Sequence, residues 1–223
     1  MNEPAKKPGQ APESYQPQKS EMMRALEEAH INTEQVSQEH IVEMEHFEYI
    51  DLPAMRFIGM DVMAQGPEAG QQYGAMWGRS GEFMPILNGM TEYATVIKDP
   101  CALMHHDDRK MSKKWQRAKP KHYMVGKFMQ ADAPVPEGFQ YKDVPETRIA
   151  YAVFLGEFTD MFDKMPGMTY AKMQEDGYKI RYPKGYFHAE VYVPENIPKE
   201  GVVSKLGYIY ACCEAKPRKG KKK

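Results

Sequence analysis

Hydrophobic and polar positions along this chain form two similar series of elements, one in Glu43–Gln130 and one in Arg148–Glu214. Each series shows a strand pattern, an amphipathic helix and two more strand patterns, identified by periods of two and of 3.6 residues. A duplicated unit of about 80 residues favours two halves that share one sheet. The repeats are then expected at about 42–130 and 145–214. Ligands often bind in a crevice at the seam between such halves.

In the first series, the apolar and aromatic stretch His46–Ala64 predicts a single lead strand, bent at Leu52-Pro53-Ala54. A helix is predicted next because residues at i, i+3 and i+4 give it one apolar face: Tyr73, Met76 and Trp77. Two strands are predicted to complete the series, Tyr93–Lys98 and Tyr123–Gln130.

The second series opens with Arg148–Phe158, which is apolar on both faces and therefore predicts a strand in the middle of a sheet. Its helix is predicted at about Asp160–Asp176, with the pairs Phe162/Met165 and Tyr170/Met173 on its apolar face. The helix is expected to bend or break near Pro166 and to end at Gly177. The closing strands are predicted at Phe187–Val193 and Leu206–Glu214.

The two closing strands carry the candidate chemistry. In Phe187–Val193, the face with Phe187, Ala189, Val191 and Val193 is predicted to pack on a helix, and the opposite face shows His188, Glu190 and Tyr192. In the last strand, Tyr208, Tyr210, Cys212 and Glu214 share one face. If these strands are neighbours, Glu190 lies among tyrosines.

A carboxylate among aromatic rings suits two functions. It can hold a lipophilic cation, because ring faces are electronegative and the carboxylate offsets desolvation of the positive charge. It can also act as a general acid or base, because partial burial raises the pKa of a carboxyl group towards neutrality. A Glu/Tyr/His face on an antiparallel strand is most often the solvent side of a half-buried sheet, and the residues alone leave all three interpretations open.

Several short motifs occur in an order that resembles the GyrI-like small-molecule-binding domain, the effector-binding domain superfamily of AraC-type and MerR-type regulators. They are Leu52-Pro53-Ala54-Met55-Arg56-Phe57-Ile58-Gly59, Tyr123-Met124-Val125-Gly126, Val135-Pro136-Glu137-Gly138-Phe139, Val144-Pro145, Tyr151-Ala152-Val153-Phe154-Leu155-Gly156 and Glu190-Val191-Tyr192. The resemblance covers residues 42–214. It implies an α+β fold: a tandem βαββ repeat with pseudo-twofold symmetry, a concave antiparallel sheet backed by two helices, and a ligand in the groove.

The resemblance also implies site residues. Glu190 matches the acidic residue of the family's pocket, Tyr192 its companion, and Tyr208 and Tyr210 the aromatic positions of the last strand. The full candidate ligand-binding set is Glu190, Tyr192, Tyr208, Tyr210, Trp77, Phe154, Tyr123 and His188. The chain departs from the family at Tyr210-Ala211-Cys212-Cys213-Glu214, where an apolar-Pro step is usual. If the protein is an enzyme, Glu190 and Tyr192 are the catalytic candidates.

Charge, cysteine content and the lack of certain motifs argue against several classes of protein. A net charge of −1 provides no global basic field, so direct DNA binding is not expected. Three cysteines, two of them adjacent, do not favour a disulfide framework and fit the cytoplasm. No secretion signal or membrane-spanning run is apparent. His105-His106-Asp107-Asp108 lacks spaced metal-ligand partners, and no phosphate loop occurs, so neither a metal nor a cofactor is expected.

The two ends differ from the middle. Residues 1–41 are expected to form a disordered extension with a short helix at Glu21–His30, and 215–223 a basic disordered tail. The tail and the basic stretch Arg109–Lys121 are solvent-exposed segments or contacts for an anionic partner.

Three hypotheses for function remain. The first is a stand-alone cytoplasmic binding module that senses or sequesters amphipathic or cationic aromatic compounds. The second, which the resemblance implies, is a hydrolase of strained electrophiles that uses Glu190 and a tyrosine. The third, also implied by the resemblance, is a protein-interaction inhibitor of the gyrase-inhibitory type.

Overall fold

The computed structural model describes residues 42–63, 69–105, 122–181, 186–192 and 203–214. These residues form an α+β fold with a nine-stranded antiparallel sheet and three helices. The strands are β1 (Val42–Leu52), β2 (Met55–Val62), β3 (Cys101–His105), β4 (His122–Gln130), β5 (Gln140–Val144), β6 (Thr147–Glu157), β7 (Tyr178–Ile180), β8 (Phe187–Val191) and β9 (Val203–Glu214). The helices are α1 (Ala69–Gly78), α2 (Ser80–Gly89) and α3 (Phe158–Glu175), and a 3-10 turn spans Thr91–Tyr93.

The sheet order confirms the tandem repeat. It runs β1-β6-β9-β8-β3-β4-β2-β5, with β7 paired to β9. The first unit contributes β2, α1, α2, β3 and β4, and the second contributes β6, α3, β8 and β9. The order is the same read outwards from the central β8/β3 pair in either direction: middle strand, last strand, lead strand. The two units are therefore related by a pseudo-twofold axis at this pair.

The prediction of a single lead strand is wrong, because this segment forms two strands, β1 and β2, that lie in opposite halves of the sheet. β1 pairs with β6 and β2 pairs with β4, although only Pro53 and Ala54 separate β1 from β2. A proline donates no ladder hydrogen bond, so pairing ends at this corner. The corner Pro145-Glu146 between β5 and β6 repeats the arrangement. Since three residues span about 10 Å at most, the sheet must curve strongly.

Apolar side chains fill both faces of the sheet. One layer lies between the sheet and the helices and includes Phe83, Met161 and Tyr208. The other layer is made almost wholly by strand residues, among them Phe57, Phe128 and Phe187. The face of β8 that was expected to pack on a helix belongs to this second layer. The helices instead cover the face that carries Glu190 and Tyr192.

The first helix of the sequence prediction is two helices, α1 and α2, separated at Arg79. Gly70, Gly74 and Gly78 lie in α1, and glycine lowers helix propensity by about 1 kcal/mol relative to alanine. No residue of α1 is buried, although Tyr73, Met76 and Trp77 contact the helix-side core as predicted. α1 is therefore held to the sheet by few and partly exposed side chains.

The second helix, α3, runs unbroken through Pro166, so the expected break does not occur. Its buried residues follow a four-residue spacing, Met161, Met165, Thr169 and Met173, whereas Tyr170 is exposed. Gly177 follows the helix with a φ of 80°, the left-handed conformation expected of a glycine that ends a helix.

The predicted strand Tyr93–Lys98 is wrong. Its backbone makes a single bridge, from Ala94 to Met129, and Val96 is 69% exposed. The strand that pairs with β4 is Cys101–His105, which begins directly after Pro100. All five of its side chains are buried, so it lacks polar–apolar alternation, whereas Thr95, Val96 and Ile97 have the β-branched side chains typical of strands and do not form one.

Several predictions fall outside the described residues: the extension 1–41, the segment Arg109–Lys121, the tail 215–223 and most of His105-His106-Asp107-Asp108. Within the described residues, no helix combines the length and hydrophobicity that crossing a membrane requires.

Candidate functional site

Glu190 lies at the seam between the two units. It is in β8, directly opposite Ala102 of β3 on one side and Tyr208 of β9 on the other. The residue is 7% exposed, so the interpretation of this face as the solvent side of the sheet is wrong. The expected adjacency of the two closing strands is confirmed, and it places the carboxyl group beside a tyrosine ring.

Two tyrosine hydroxyls donate hydrogen bonds to Glu190 Oε2. Tyr192 Oη lies 2.7 Å away and Tyr123 Oη lies 3.4 Å away. The Trp77 indole Nε1 in turn donates to Tyr123 Oη over 2.9 Å. The structure thus brings together four residues of the candidate set from three elements and the segment after β8: Trp77, Tyr123, Glu190 and Tyr192.

Helix α1 covers this network with two aromatic rings. Tyr73 stacks on Tyr123 with centroids 3.9 Å apart and planes 16° apart. Trp77 packs on Tyr192 with centroids 4.1 Å apart. The sequence-based candidate set omits Tyr73, although its i, i+4 spacing from Trp77 places both rings on one helix face.

Burial dominates the electrostatics of the site. Loss of hydration raises the pKa of Glu190 to about 7, while the hydrogen bonds from Tyr192 and Tyr123 lower it. Burial also raises the pKa of Tyr123, Tyr192 and Tyr208 well above the ordinary value, so these hydroxyls stay protonated. Within the described part of the chain, both hydrogen-bond donors to the Glu190 carboxyl are neutral tyrosines.

The remaining candidates form a second group beside the first. His188 Nδ1 lies 2.5 Å from Tyr208 Oη, and its ring stacks on Tyr210 at 5.6 Å. Tyr208 and Tyr210 meet edge to face at 5.2 Å. His188 therefore contacts Tyr208, which is the residue directly opposite Glu190 on β9.

Phe154 lies on the helix-side face but further along its strand. It is fully buried, opposite Leu206 of β9 and Met44 of β1, at the end of β6 that leads into α3. The structure thus places this candidate in the helix-side core.

Replacing Tyr192 by phenylalanine is expected to raise the pKa of Glu190 further, by about one pH unit. The variant removes the shorter of two hydrogen bonds to the carboxylate, and such a bond to a charged group contributes about 1.5–3 kcal/mol. Infrared titration of the protonated carboxyl band measures this shift. Tyr123→Phe is expected to act in the same direction with a smaller effect, because its hydrogen bond is longer. Tyr141→Phe, at an exposed position, is the control, and an unchanged titration in Tyr192→Phe would contradict the assigned hydrogen bond.

No family model matches the sequence, and no curated protein matches it. Solved structures similar in fold include SAV2435 bound to tetraphenylphosphonium, with 11% identity and a TM-score of 0.48 over 74% of this chain and 93% of that one. The EcmrR C-terminal domain shows 7% identity and a TM-score of 0.44, covering 76% and 98%. A hydrolase from Listeria innocua shows 11% identity and a TM-score of 0.46, covering 81% and 97%. The likeness to these structures concerns the fold alone.

Proposed function

We propose that this protein binds lipophilic aromatic cations at Glu190, between α1 and the sheet, and so senses or sequesters them. The observation that supports this proposal is a buried carboxyl group whose hydrogen-bond donors, among the described residues, are two neutral tyrosine hydroxyls. A buried carboxylate without a cationic neighbour is unfavourable. A cation that brings its own aromatic or apolar surface supplies the missing charge without requiring water.

The surrounding rings suit the same ligand. Cations are attracted to the faces of tryptophan and tyrosine within about 6 Å of the ring centre, by about 2 kcal/mol when both are desolvated. Tyr123 and Tyr192 donate hydrogen bonds to the carboxyl group, and Tyr208 lies directly opposite Glu190 on the neighbouring strand. A delocalised cation would therefore interact with several rings and one carboxylate together.

Access to the carboxyl group involves α1. Tyr73 and Trp77 of α1 pack on the two tyrosines that hold Glu190. Because no residue of α1 is buried, displacing these rings exposes less apolar surface than moving a core helix would. The ligand then takes the place of the two rings against Tyr123 and Tyr192.

Tetraphenylphosphonium and tetraphenylborate test the proposal, because they share shape and apolar surface and carry opposite charges. At pH 8 the wild type is expected to bind the phosphonium ion at least tenfold more tightly than the borate. Glu190→Gln is expected to remove most of this preference, and Glu137→Gln, at an exposed turn position, is expected to keep it. Isothermal titration calorimetry measures both affinities. Equal affinities in the wild type, or a preference that survives in Glu190→Gln, would contradict a charge role for Glu190.

A second candidate function, hydrolysis of a strained electrophile, is favoured by one contact. The 2.7 Å hydrogen bond between Tyr192 and Glu190 joins a hydroxyl donor to a carboxyl group with a pKa of about 7, which suits general acid–base chemistry. Mass spectrometry of cyclopropane-bearing electrophiles after incubation separates the two functions. A hydrated product made by the wild type and not by Glu190→Gln supports hydrolysis, and unchanged compounds support binding alone.

A further inference from the structure

We propose that cation binding at Glu190 is an exchange reaction, in which the incoming cation displaces the proton of the Glu190 carboxyl group. The proton and the lipophilic cation are then competing ligands of one site. This inference rests on the proposed function and adds to it the coupling of ligand binding to pH.

The groups around the carboxyl support this exchange. His188 of β8 and Tyr192, directly after the end of β8, share the face of Glu190. The neighbouring strand β9 contributes Tyr208, and β4 contributes Tyr123. The neighbour on β3 is Ala102, and α1 contributes Tyr73 and Trp77. The buried residues of α3 on this side are three methionines and Thr169.

Of these groups, only His188 can become positively charged near neutral pH. Its Nδ1 lies 2.5 Å from Tyr208 Oη, so this hydrogen bond joins His188 to a tyrosine and not to the Glu190 carboxyl group. The tyrosine hydroxyls can donate hydrogen bonds to a carboxylate but cannot neutralise its charge. Among the described residues, the proton is therefore the counter-charge that a carboxyl group with 7% exposure can take when no ligand is bound.

Protons and charge balance in this exchange. The protonated carboxyl group and a cation become a carboxylate paired with that cation, and the proton passes to the solvent. The charge of the buried site stays at zero before and after binding, so neither state leaves an isolated charge out of water. The pKa of Glu190, about 7, places the exchange near neutral pH.

The exchange predicts how affinity depends on pH. Well below pH 7 the cation competes with the proton, so its affinity is expected to rise about tenfold per pH unit. Above pH 7 the proton has already left, and the affinity is expected to become constant. A ligand without charge would replace no proton, so its affinity should not depend on pH.

Calorimetry with tetraphenylphosphonium tests this directly. The titration is done at about pH 6 and about pH 8.5, each in two buffers of different ionisation enthalpy, which yields the number of protons released per cation. We expect nearly one proton at pH 6, nearly none at pH 8.5, and none at either pH for Glu190→Gln or for neutral triphenylphosphine oxide with the wild type.

The outcomes separate this inference from the proposed function. Binding of the phosphonium ion without proton release at pH 6 would overturn the exchange and leave the binding function standing. Failure to bind at either pH would overturn both. A measurement without ligand gives an independent test: infrared difference spectra between the wild type and Glu190→Gln should show a protonated carboxyl band at pH 6, and its absence there would also overturn the exchange.

Discussion

Replacing Gly126 with alanine is expected to destabilise the protein by about 3 kcal/mol or more, through a clash that no side-chain rotation can relieve. Gly126 of β4 lies directly opposite Gly59 of β2. A Cβ atom at Gly126 would lie 2.0 Å from the Ile58 carbonyl oxygen and 2.6 Å from the Gly59 Cα, both of them backbone atoms. β2 and β4 would have to separate. Urea unfolding of the variant and the wild type measures the loss.

The same change in a helix provides the control. A Cβ atom at Gly74 in α1 meets nothing within 4 Å, so Gly74→Ala is expected to stabilise the protein by about 0.5–1 kcal/mol through helix propensity. Gly59→Ala should resemble Gly126→Ala, because its Cβ atom would lie 2.3 Å from the Val125 carbonyl oxygen. Wild-type stability in Gly126→Ala would show that the two strands can separate locally without loss of the fold.

The close contact of Gly59 and Gly126 depends on which strands pair, and the sequence predicts strand partners less well than the type of each element. Strand and helix types followed from periodicity wherever one face differed from the other, as in Phe187–Val193 and in the α1 face with Tyr73 and Trp77. The division of the lead strand at Pro53 could not be predicted, because one bent strand and two strands with different partners give the same pattern of apolar and polar residues. Only the pairing of β1 with β6 distinguishes them.

Burial on both faces explains the other errors. Cys101–His105 is buried throughout and shows no alternation, whereas Thr95, Val96 and Ile97 are three β-branched residues in a segment that is not a strand. The helix-covered face of β8 was assigned wrongly for the same reason. Alternation along a strand shows which residues share a face of the sheet. When both faces are buried, it does not show which face lies under the helices.

The candidate site was predicted in its central residues and not in its environment. Glu190, Tyr192 and Tyr208 were expected together, and the strand register brings them together. Tyr123 and Trp77 were also in the candidate set, but the hydrogen bonds that link them to Glu190 and the burial of the carboxyl group could not be predicted, because both residues lie far from Glu190 in sequence. Tyr73 could have been predicted from the sequence, because its four-residue spacing from Trp77 places both side chains on the same face of α1.

The burial of Glu190 should also make the stability of the ligand-free protein depend on pH. Its pKa is about 7 in the folded protein against an ordinary value of 4.5. The folded protein therefore keeps a proton that the unfolded chain releases between pH 4.5 and pH 7, and the free energy of unfolding falls as pH rises through this window. The loss amounts to about 3 kcal/mol once pH exceeds 7.

Glu190→Gln removes this titration and should be more stable than the wild type by about 3 kcal/mol above pH 7, relative to the difference below pH 4.5. Urea unfolding of both proteins from pH 4 to pH 8.5 measures the difference, which cancels the contribution of all other titrating groups. Glu137→Gln, at an exposed position, should follow the wild-type profile. Parallel profiles of Glu190→Gln and the wild type would mean that Glu190 ionises in the folded protein at no cost. A partner for its charge would then exist in the ligand-free protein, and the carboxylate would have no need of a bound cation.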